Sequence, residues 1–244
     1  MQKKRIIDNN AEITHNSDGG VVMTYMAIIG DIKSSKTLNN RSEVQEKLKK
    51  TLDSINISYS EIIAAKFIIT LGDEFQGLLF FTEDLVEIIK YIQKEMYPVE
   101  MRFGIGIGEI STKINEEAAI GADGPAFYAA RNTISAIHDC AKKIKKQAAD
   151  IQINIYENSV FEIVEINTIL ALIKTIEDSW TEKQRYTIWD ALDHPGSQIS
   201  SAKRMNTSQS TIARRLADGK YIVYLNALQT IKEAIANLEG KNAI

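Results

Sequence analysis

The stretch Val99-Glu-Met-Arg-Phe-Gly-Ile-Gly-Ile-Gly108 carries the clearest structural pattern in this chain of 244 residues. Large apolar residues alternate in it with Arg102 and three glycines, and these apolar residues are Met101, Phe103, Ile105 and Ile107. A period of two places them on one face of a β-strand. The opposite face is nearly bare, which permits a helix, another backbone or a ligand to approach closely. The pattern therefore predicts a core strand with a close neighbour on its glycine face.

The segments before this strand complete a β-α-β-β-α-β order. The predicted elements are a buried strand at Tyr25–Gly30, a helix at 40–57, two strands within 62–81 around a turn at Gly72-Asp73, and a helix from 82 to 96 that Pro98 blocks. This order is typical of a ferredoxin-like domain, in which two helices back a four-stranded antiparallel sheet. The sequence thus predicts an α+β fold for the first half of the chain.

The rest of the chain divides into further predicted segments. A helix at 123–143 and a strand at 151–156 extend the sheet domain, and the last 65 residues have the pattern of four helices. We predict a flexible extension at 1–22, the sheet domain at 23–157, a connecting helix at 158–178 and an all-α domain at 179–244.

Composition and charge exclude several classes of protein. Hydrophobic residues make up 44% and charged residues 25%, which excludes a fully disordered chain. The single cysteine excludes an intrachain disulfide and a cysteine zinc cluster, and no apolar run reaches the roughly 20 residues of a membrane helix. These features predict a cytoplasmic protein without a membrane partner. Residues 180–244 carry 9 Lys and Arg against 6 Asp and Glu, whereas residues 23–179 carry 17 against 23, which indicates domains with different partners.

Within the C-terminal domain, residues 197–216 have the spacing of a helix-turn-helix. Ala202 supplies the small residue where the helices touch, Asn206 tolerates the left-handed turn conformation, and Ile212 is the apolar residue of the second helix. Ser208 is placed to cap that second helix. The spacing predicts a DNA-reading module, and the alternative is a compact helical tail or dimerisation module with exposed arginines.

The predicted DNA-binding residues form two groups. Ser208, Gln209, Ser210 and Thr211 lie at the N-terminus of the second helix, which enters the major groove in such modules, and Gln209 can pair with adenine. The residues expected to meet phosphates are Lys203, Arg204, Arg214 and Arg215. Because one reading head makes few base contacts, we expect a homodimer.

Two Gly-Asp pairs suggest a second site. Asp31 follows the first strand and Asp73 lies in the turn between the next two, so both are expected at one edge of the sheet. Paired carboxylates favour Mg²⁺ or Mn²⁺, with the Ile32 carbonyl as an extra ligand, and such an ion can clamp a triphosphate. The residues expected to hold the nucleotide are Lys33, Ser34, Ser35 and Gly72. The alternative is ordinary turn chemistry, in which Gly-Asp pairs are common.

Taken together, these motifs resemble the catalytic domain of the class III nucleotidyl cyclases. The matching segments are Gly30-Asp-Ile32, Thr70-Leu-Gly-Asp73, Arg102-Phe-Gly-Ile-Gly-Ile-Gly108 and Gly124-Pro-Ala-Phe-Tyr-Ala-Ala-Arg131. The resemblance implies that Asp31 and Asp73 hold metal ions and that Arg131 steadies the transition state. Gly72-Asp-Glu-Phe75 also resembles the GGDEF diguanylate cyclases. The family's helix Asn, base-reading Lys and base-reading Asp fall on Phe127, Ile69 and Gly121, which implies a degenerate cyclase.

The combination of a cyclase-like domain with a C-terminal helix-turn-helix resembles the SatD family of bacterial proteins. The resemblance rests on Gly30-Asp-Ile-Lys-Ser-Ser35, Leu71-Gly-Asp-Glu-Phe-Gln-Gly77, Arg102–Glu109 and Gly121–Ala126, and it implies a link to acid tolerance and secretion operons. We predict a DNA-binding regulator that senses a nucleotide or a divalent metal. The alternatives are a Mg²⁺- or Mn²⁺-dependent nucleotidyl or phosphoryl transferase using Asp31 and Asp73, and an adaptor that only dimerises.

Overall fold

The first part of the chain is organised around a mixed sheet, and the last part is helical. The computed structural model describes residues 14–15, 21–35, 40–144, 149–156 and 160–239. The elements in chain order are β1 (Thr14–His15), β2 (Val21–Val22), β3 (Tyr25–Ile32), α1 (Arg41–Ser58), β4 (Ile63–Leu71), β5 (Glu74–Phe80), α2 (Leu85–Met96), β6 (Met101–Gly108), α3 (Pro125–Ile144), β7 (Ile151–Ile155), α4 (Phe161–Ser179), α5 (Glu182–Asp193), α6 (Gln198–Arg204), α7 (Gln209–Asp218) and α8 (Tyr221–Glu239).

The central sheet has five strands in the order β4-β5-β3-β6-β7. The β4-β5, β5-β3 and β3-β6 pairs are antiparallel, but β6 and β7 are parallel. The predicted antiparallel sheet is therefore a mixed one. The physical reason is α3, which carries the chain across the sheet between β6 and β7, because a parallel pair requires such a crossover.

The two faces of the sheet have different coverings. Met26 and Ile28 of β3 point into an apolar cluster with residues of α1 and α2, such as Leu48 and Ile89. Ala27 and Ile29, their alternating neighbours, instead join a second cluster with residues of α3 that include Phe127. The sheet is thus covered on both faces, and α3 occupies the face opposite α1 and α2.

The glycine face of β6 is where α3 makes its closest approach. A Cβ atom added at Gly106 would lie 2.0 Å from the Ala126 carbonyl oxygen and 2.4 Å from the Ala130 nitrogen. At Gly104 an added Cβ would lie 2.6 Å from the Ala130 carbonyl oxygen. The close neighbour predicted for this bare face is therefore a helix, and its backbone fills the space that side chains would need.

The C-terminal helices pack on the sheet region through α2 and the residue that follows it. The Tyr97 ring lies 5.3 Å from the Trp189 ring of α5, and the Arg185 guanidinium lies over Tyr97 at 5.1 Å. Ion pairs join Lys232 of α8 to Asp84 and Lys94 of α2 to Asp193. The contact between the sheet region and the C-terminal helices thus combines one aromatic cluster with separate ion pairs.

Strand pairing begins before Met23, the residue at which the sequence predicts the folded part of the chain to start. β1 and β2 form an antiparallel pair in which Thr14 opposes Val22. The other residues of the predicted extension up to Gly20 lie outside the described residues, so its expected flexibility stays a prediction. Among the described residues, no helix is both long and apolar enough to cross a membrane.

Candidate functional site

The two candidate metal-binding aspartates lie on adjacent pieces of main chain. The Ile32 N–H donates to the Asp73 carbonyl oxygen at 3.1 Å, which joins the end of β3 to the turn between β4 and β5. On the sheet, Asp31 stands opposite Glu74 on one side and Arg102 on the other. The strand order therefore places the turn of Asp73 next to the strand end of Asp31, as the sequence predicts.

The carboxylate of Asp31 is largely buried and unevenly satisfied. Its Oδ2 atom lies 2.6 Å from His138 Nε2 of α3 and 3.5 Å from Arg102 Nη1. Its Oδ1 atom is buried and accepts no hydrogen bond from any described residue. One oxygen is thus held by two basic side chains while the other is left for a cation or a water molecule.

The turn of Asp73 is held by residues of the neighbouring segments. The Ser35 hydroxyl donates to Asp73 Oδ2, and Gln45 Nε2 of α1 donates to the Gly72 carbonyl oxygen at 2.5 Å. Gly72 has a φ of +62°, a left-handed conformation that glycine adopts readily. Two residues predicted to bind nucleotide, Ser35 and Gly72, therefore serve the turn itself in this arrangement.

Lys33 also has partners within the chain. Its ammonium group forms ion pairs with Asp150, directly before β7, and with Glu100 at 3.2 Å. Asp150 is buried, and its second oxygen lies 3.4 Å from Lys174 of α4. Burial raises the pKa of the Asp150 carboxyl, and the charges of Lys33 and Lys174 oppose that rise. The predicted phosphate-holding lysine is thus part of a buried ion cluster, while Ser34 beside it has a φ of 54°.

These residues fit a divalent ion in part. No group of three or more His, Cys, Asp or Glu side chains among the described residues could hold a metal by itself. Mg²⁺, however, is commonly bound by one or two carboxylates together with substrate phosphates and water. The unpartnered Asp31 Oδ1 atom, the Asp73 carboxylate and the Ile32 carbonyl are suitable oxygen ligands for such an ion.

Arg131 is directed elsewhere. It is exposed on α3, its Nη1 atom lies 3.6 Å from Asp123 Oδ1, and its guanidinium lies 6.0 Å from the Phe127 ring centre. His138, which contacts Asp31, comes seven residues later on the same face of α3, about 10 Å further along the helix. Within this chain, the structure therefore brings His138, and not Arg131, to the aspartate.

The three residues that differ from the cyclase pattern have a role in packing or in backbone conformation. Phe127 is fully buried in the cluster between α3 and the sheet. Ile69 is half-buried in β4, and Gly121 has a φ of +86°. An Asn at position 127 would place an amide among apolar side chains, so the local packing suits the residues that are present.

The segment predicted as a helix-turn-helix forms two short helices, and the turn between them has the predicted left-handed residue. α6 and α7 are joined by a short turn in which Asn206 has a φ of 47° and the Thr207 N–H donates to the Ala202 carbonyl oxygen at 2.9 Å. The Ser208 hydroxyl accepts from the Thr211 N–H at 3.2 Å and so caps α7. Ala202, Ile212 and Leu216 are buried, as expected, while Met205 is only half-buried.

The outer surface of this segment is open at the start of α7. Gln209, Ser210 and Arg214 are exposed, as is Lys203 on α6, and Gln209 Nε2 donates to Gln198 Oε1 at 2.6 Å. Thr211 and Arg215 are half-buried, so Arg215 departs from the predicted exposure.

Arg204 has a different place from the one predicted. Its Nε and Nη2 atoms donate to the two carboxylate oxygens of Asp190 in α5 at 2.7 and 2.8 Å. The Ser201 hydroxyl donates to the same carboxylate. Arg204 therefore fastens α6 to α5, and a phosphate would have to compete with a two-point ion pair to reach it.

Sequence reasoning missed three residues of these sites: His138, Asp150 and Lys174. For His138 a signal existed, because it follows Arg131 by seven residues and so shares its helix face. Asp150 and Lys174 carry no motif, and only the placement of β7 beside β6 and of α4 beside β7 brings them to Lys33.

Comparisons with known proteins give one family match. The model of the SatD family matches residues 25–235. No curated protein sequence matches the chain significantly.

Several solved structures resemble parts of the chain. A bacterial light-regulated adenylyl cyclase is 11% identical, with a TM-score of 0.40 over 54% of this chain and 76% of that one. The catalytic core of a rhodopsin-guanylyl cyclase of converted specificity, in complex with ATPαS, is 16% identical, with a TM-score of 0.37 over 47% and 73%. A regulator of polyketide synthase expression from Bifidobacterium adolescentis is 12% identical, with a TM-score of 0.25 over 86% and 80%. Such low scores do not establish an activity for this chain.

Proposed function

The chain belongs to the SatD family, and from this premise and the two sites described above we propose that it is a DNA-binding regulator whose sheet region senses a nucleotide, a divalent metal or both. In this assignment the sheet region is a ferredoxin-like, cyclase-like sensor and residues 179–239 form the helix-turn-helix output. The link to acid tolerance that the family resemblance implies belongs to the same proposal.

The observation that carries the proposal is the exposed start of α7. Its residues Gln209, Ser210 and Arg214 are accessible, while Ile212 and Leu216 hold the helix against its neighbours. A helix presented in this way can enter the major groove with its N-terminal residues at the base edges. Among the described residues, the main packing partners of α7 are α5, α6 and α8, and Ser208, Gln209 and Ser210 at its start are exposed.

The sensor part of the proposal rests on the aspartate site. A divalent ion held by Asp31, Asp73 and the Ile32 carbonyl would offset the charge of a triphosphate. The phosphates would then lie against the segment Lys33–Ser35. In the described arrangement Lys33 and Ser35 are paired with Asp150 and Asp73, so a bound nucleotide would have to exchange these partners.

The second candidate function is a Mg²⁺- or Mn²⁺-dependent nucleotidyl or phosphoryl transferase. The buried Asp31 Oδ1 atom without a hydrogen bond favours it, because such an atom is more costly at a purely structural strand end than at a cation site. In this function Asp31 and Asp73 would hold the ion, and Arg131 would serve the transition state only after leaving Asp123.

Three measurements test the proposal. Fluorescence anisotropy with labelled duplex DNA from the promoter of the protein's own operon, at two salt concentrations, tests the output, and absence of binding at low salt rejects DNA recognition. Thermal denaturation with ATP or GTP, each with and without Mn²⁺, tests the sensor, because a ligand specific to the native state must raise Tm. Analytical ultracentrifugation, with and without DNA, tests the homodimer that a half-site spacing of about 34–36 Å would require.

A further inference from the structure

A buried ion cluster links the proposed nucleotide site to the helix that leads into the C-terminal region. The Asp150 side chain is only 7% exposed, and its two oxygens face Lys33 and Lys174, each less than 20% exposed. Lys33 follows Asp31 by two residues, and Lys174 lies on α4. We refer to Lys33, Asp150 and Lys174 as the ion cluster.

The cations of this cluster are shared with other partners. Lys33 also pairs with Glu100 at 3.2 Å, and Lys174 also pairs with Asp178, which is half exposed. Among the described residues, Asp150 forms ion pairs with Lys33 and Lys174 alone, so its charge depends on the two lysines. Because an unpaired buried charge is strongly unfavourable, loss of one lysine must change how the other meets Asp150.

The far end of α4 is fastened to the proposed recognition helix. Trp180, the first residue after α4, donates its indole N–H to the carbonyl oxygen of Gly219 at 2.7 Å, at the end of α7. In the last turn of α4, Glu177 accepts from Tyr224 Oη of α8 at 2.8 Å, and its carbonyl accepts from Arg185 of α5 at 2.6 Å. A displacement of α4 therefore reaches α5, α7 and α8 through direct hydrogen bonds.

The cleft between the sheet region and the C-terminal helices, of about 550 Å³, is lined by Asp150 and Lys174 and crossed by further ion pairs. Lys90 of α2 lies 2.8 Å from Glu177 of α4, and Lys232 of α8 pairs with Asp84. Its lysines are thus committed to carboxylates across the cleft. The cleft is therefore better interpreted as an interface whose alignment depends on charge pairing than as a pocket for an anionic ligand.

We propose that the ion cluster couples occupation of the nucleotide site to the position of α7, an inference that rests on the proposed function. When a phosphate takes Lys33, Asp150 keeps Lys174 as its only close cation. Lys174 then moves from Asp178 towards Asp150 and carries the C-terminal half of α4 with it. Trp180 passes this shift to Gly219, so a nucleotide changes DNA affinity although the two sites share no residue.

The first test is made without ligand, on the full chain. Lys33→Met removes the charge but keeps most of the stem, and Asp150→Asn removes the central charge at nearly constant volume. Hydrogen–deuterium exchange within 169–179 and 209–219 is expected to increase in both variants relative to wild type. Lys142→Met, at a lysine that is 76% exposed on α3, is the matched control and is expected to leave these segments unchanged. Unchanged exchange in both cluster variants overturns the proposal.

The second test measures coupling. The Kd for promoter DNA is determined with and without ATP or GTP and Mn²⁺, for wild type, Lys174→Met and Lys142→Met. A coupling of at least about 5-fold is expected for wild type and for Lys142→Met, within the usual range for linked sites. For Lys174→Met, DNA alone is expected to bind as in wild type, while the ratio of the Kd values for DNA without and with nucleotide falls to about 1.

The outcomes separate the two levels of inference. If Lys174→Met retains the wild-type ratio, the coupling proposal is overturned and the regulator stands. If wild type binds neither nucleotide nor DNA, the regulator itself is rejected and the coupling is rejected with it. If wild type binds both ligands and its Kd for DNA is the same with and without nucleotide, the sites are independent and only the coupling fails.

Discussion

His138 Nε2 lies 2.6 Å from Asp31 Oδ2, so a basic group of α3 occupies one side of the carboxylate on which metal binding would depend. Arg102 approaches the same oxygen from the neighbouring strand at 3.5 Å. The aspartate that ends β3 is therefore already neutralised in part by the chain's own residues. A divalent ion at this position has to use Oδ1 or displace a basic side chain, and this competition can be measured.

We expect His138→Ala to raise the affinity for Mn²⁺ about threefold, since it removes a competing contact to Asp31 from a partly exposed side chain, and exposed contacts of this kind are worth about 0.2–1 kcal/mol. Isothermal titration calorimetry with Mn²⁺ alone measures the change, and Asp31→Asn should abolish binding. Asp139→Asn, at the next position on α3, is the control. A weaker affinity in His138→Ala would show that the imidazole is itself a ligand.

The wild-type protein is expected to convert little or no ATP or GTP to cyclic product. The positions where the cyclase pattern requires base-reading and helix polar residues are held by the half-buried Ile69, the left-handed Gly121 and the fully buried Phe127. Correct positioning of the reacting groups supplies much of the rate in such reactions. Mass-spectrometric detection of cyclic nucleotides after incubation with Mn²⁺ gives the measurement, and robust synthesis would contradict the prediction.

Gly106→Ala is expected to destabilise the protein by about 3 kcal/mol, the upper end of the usual range for overpacking. The new Cβ would lie 2.0 Å from the backbone oxygen of Ala126, which cannot give way without moving α3. A decrease in Tm of about 6–12 °C should follow for a chain of this size. Gly196→Ala should leave Tm nearly unchanged, because among the described residues an added Cβ would meet the His194 carbonyl oxygen alone, at 4.0 Å.

The pair Asp190–Arg204 predicts a pH dependence of stability. Hydrogen bonds from Arg204 lower the pKa of the Asp190 carboxyl below its ordinary 3.8, burial opposes this, and Ser201 adds to the lowering. The stabilisation is therefore present above pH 3.8 and is lost as the pH falls through the lower pKa of the folded state. Asp190→Asn should reduce Tm at pH 7, and its difference from wild type should vanish at strongly acidic pH. Asp218→Asn, on the exposed side of α7, should show no such pattern.

Arg214→Ala and Gln209→Ala should affect DNA binding differently. Arg214 is exposed and expected to meet a phosphate, so its removal should weaken binding to all sequences and reduce the salt slope by about 1. Gln209→Ala should cost about 1–3 kcal/mol at one base position and leave the salt slope unchanged. Anisotropy titrations on a set of single-base variants of the site distinguish the two effects. Uniform loss of affinity in Gln209→Ala would contradict base reading by this residue.

Local patterns in the sequence were sufficient to predict the elements of the fold. The alternation at 101–108 predicts β6, and the order of strands and helices around it follows from period and turn residues. The turn between α6 and α7 and the cap of α7 were likewise predictable, because Asn206, Ser208 and Ile212 act within their own short segment. Such features depend on contacts between residues close in sequence, which a single sequence displays directly.

Only the tertiary structure decided what the charged residues do. Asp31 meets His138, Lys33 meets Asp150, and Arg204 meets Asp190 across separations of 14 to 117 residues. The sequence predicted the first residue of each of these pairs as a ligand-binding group, whereas the fold gives each a partner within the chain. The parallel pairing of β7 was also undetermined, because it depends on the path of α3 across the sheet. Coulomb attraction depends on the distance between two groups in space, and the sequence spacing of distant charged residues does not give that distance. The partner of each charged residue is therefore known only from the folded chain.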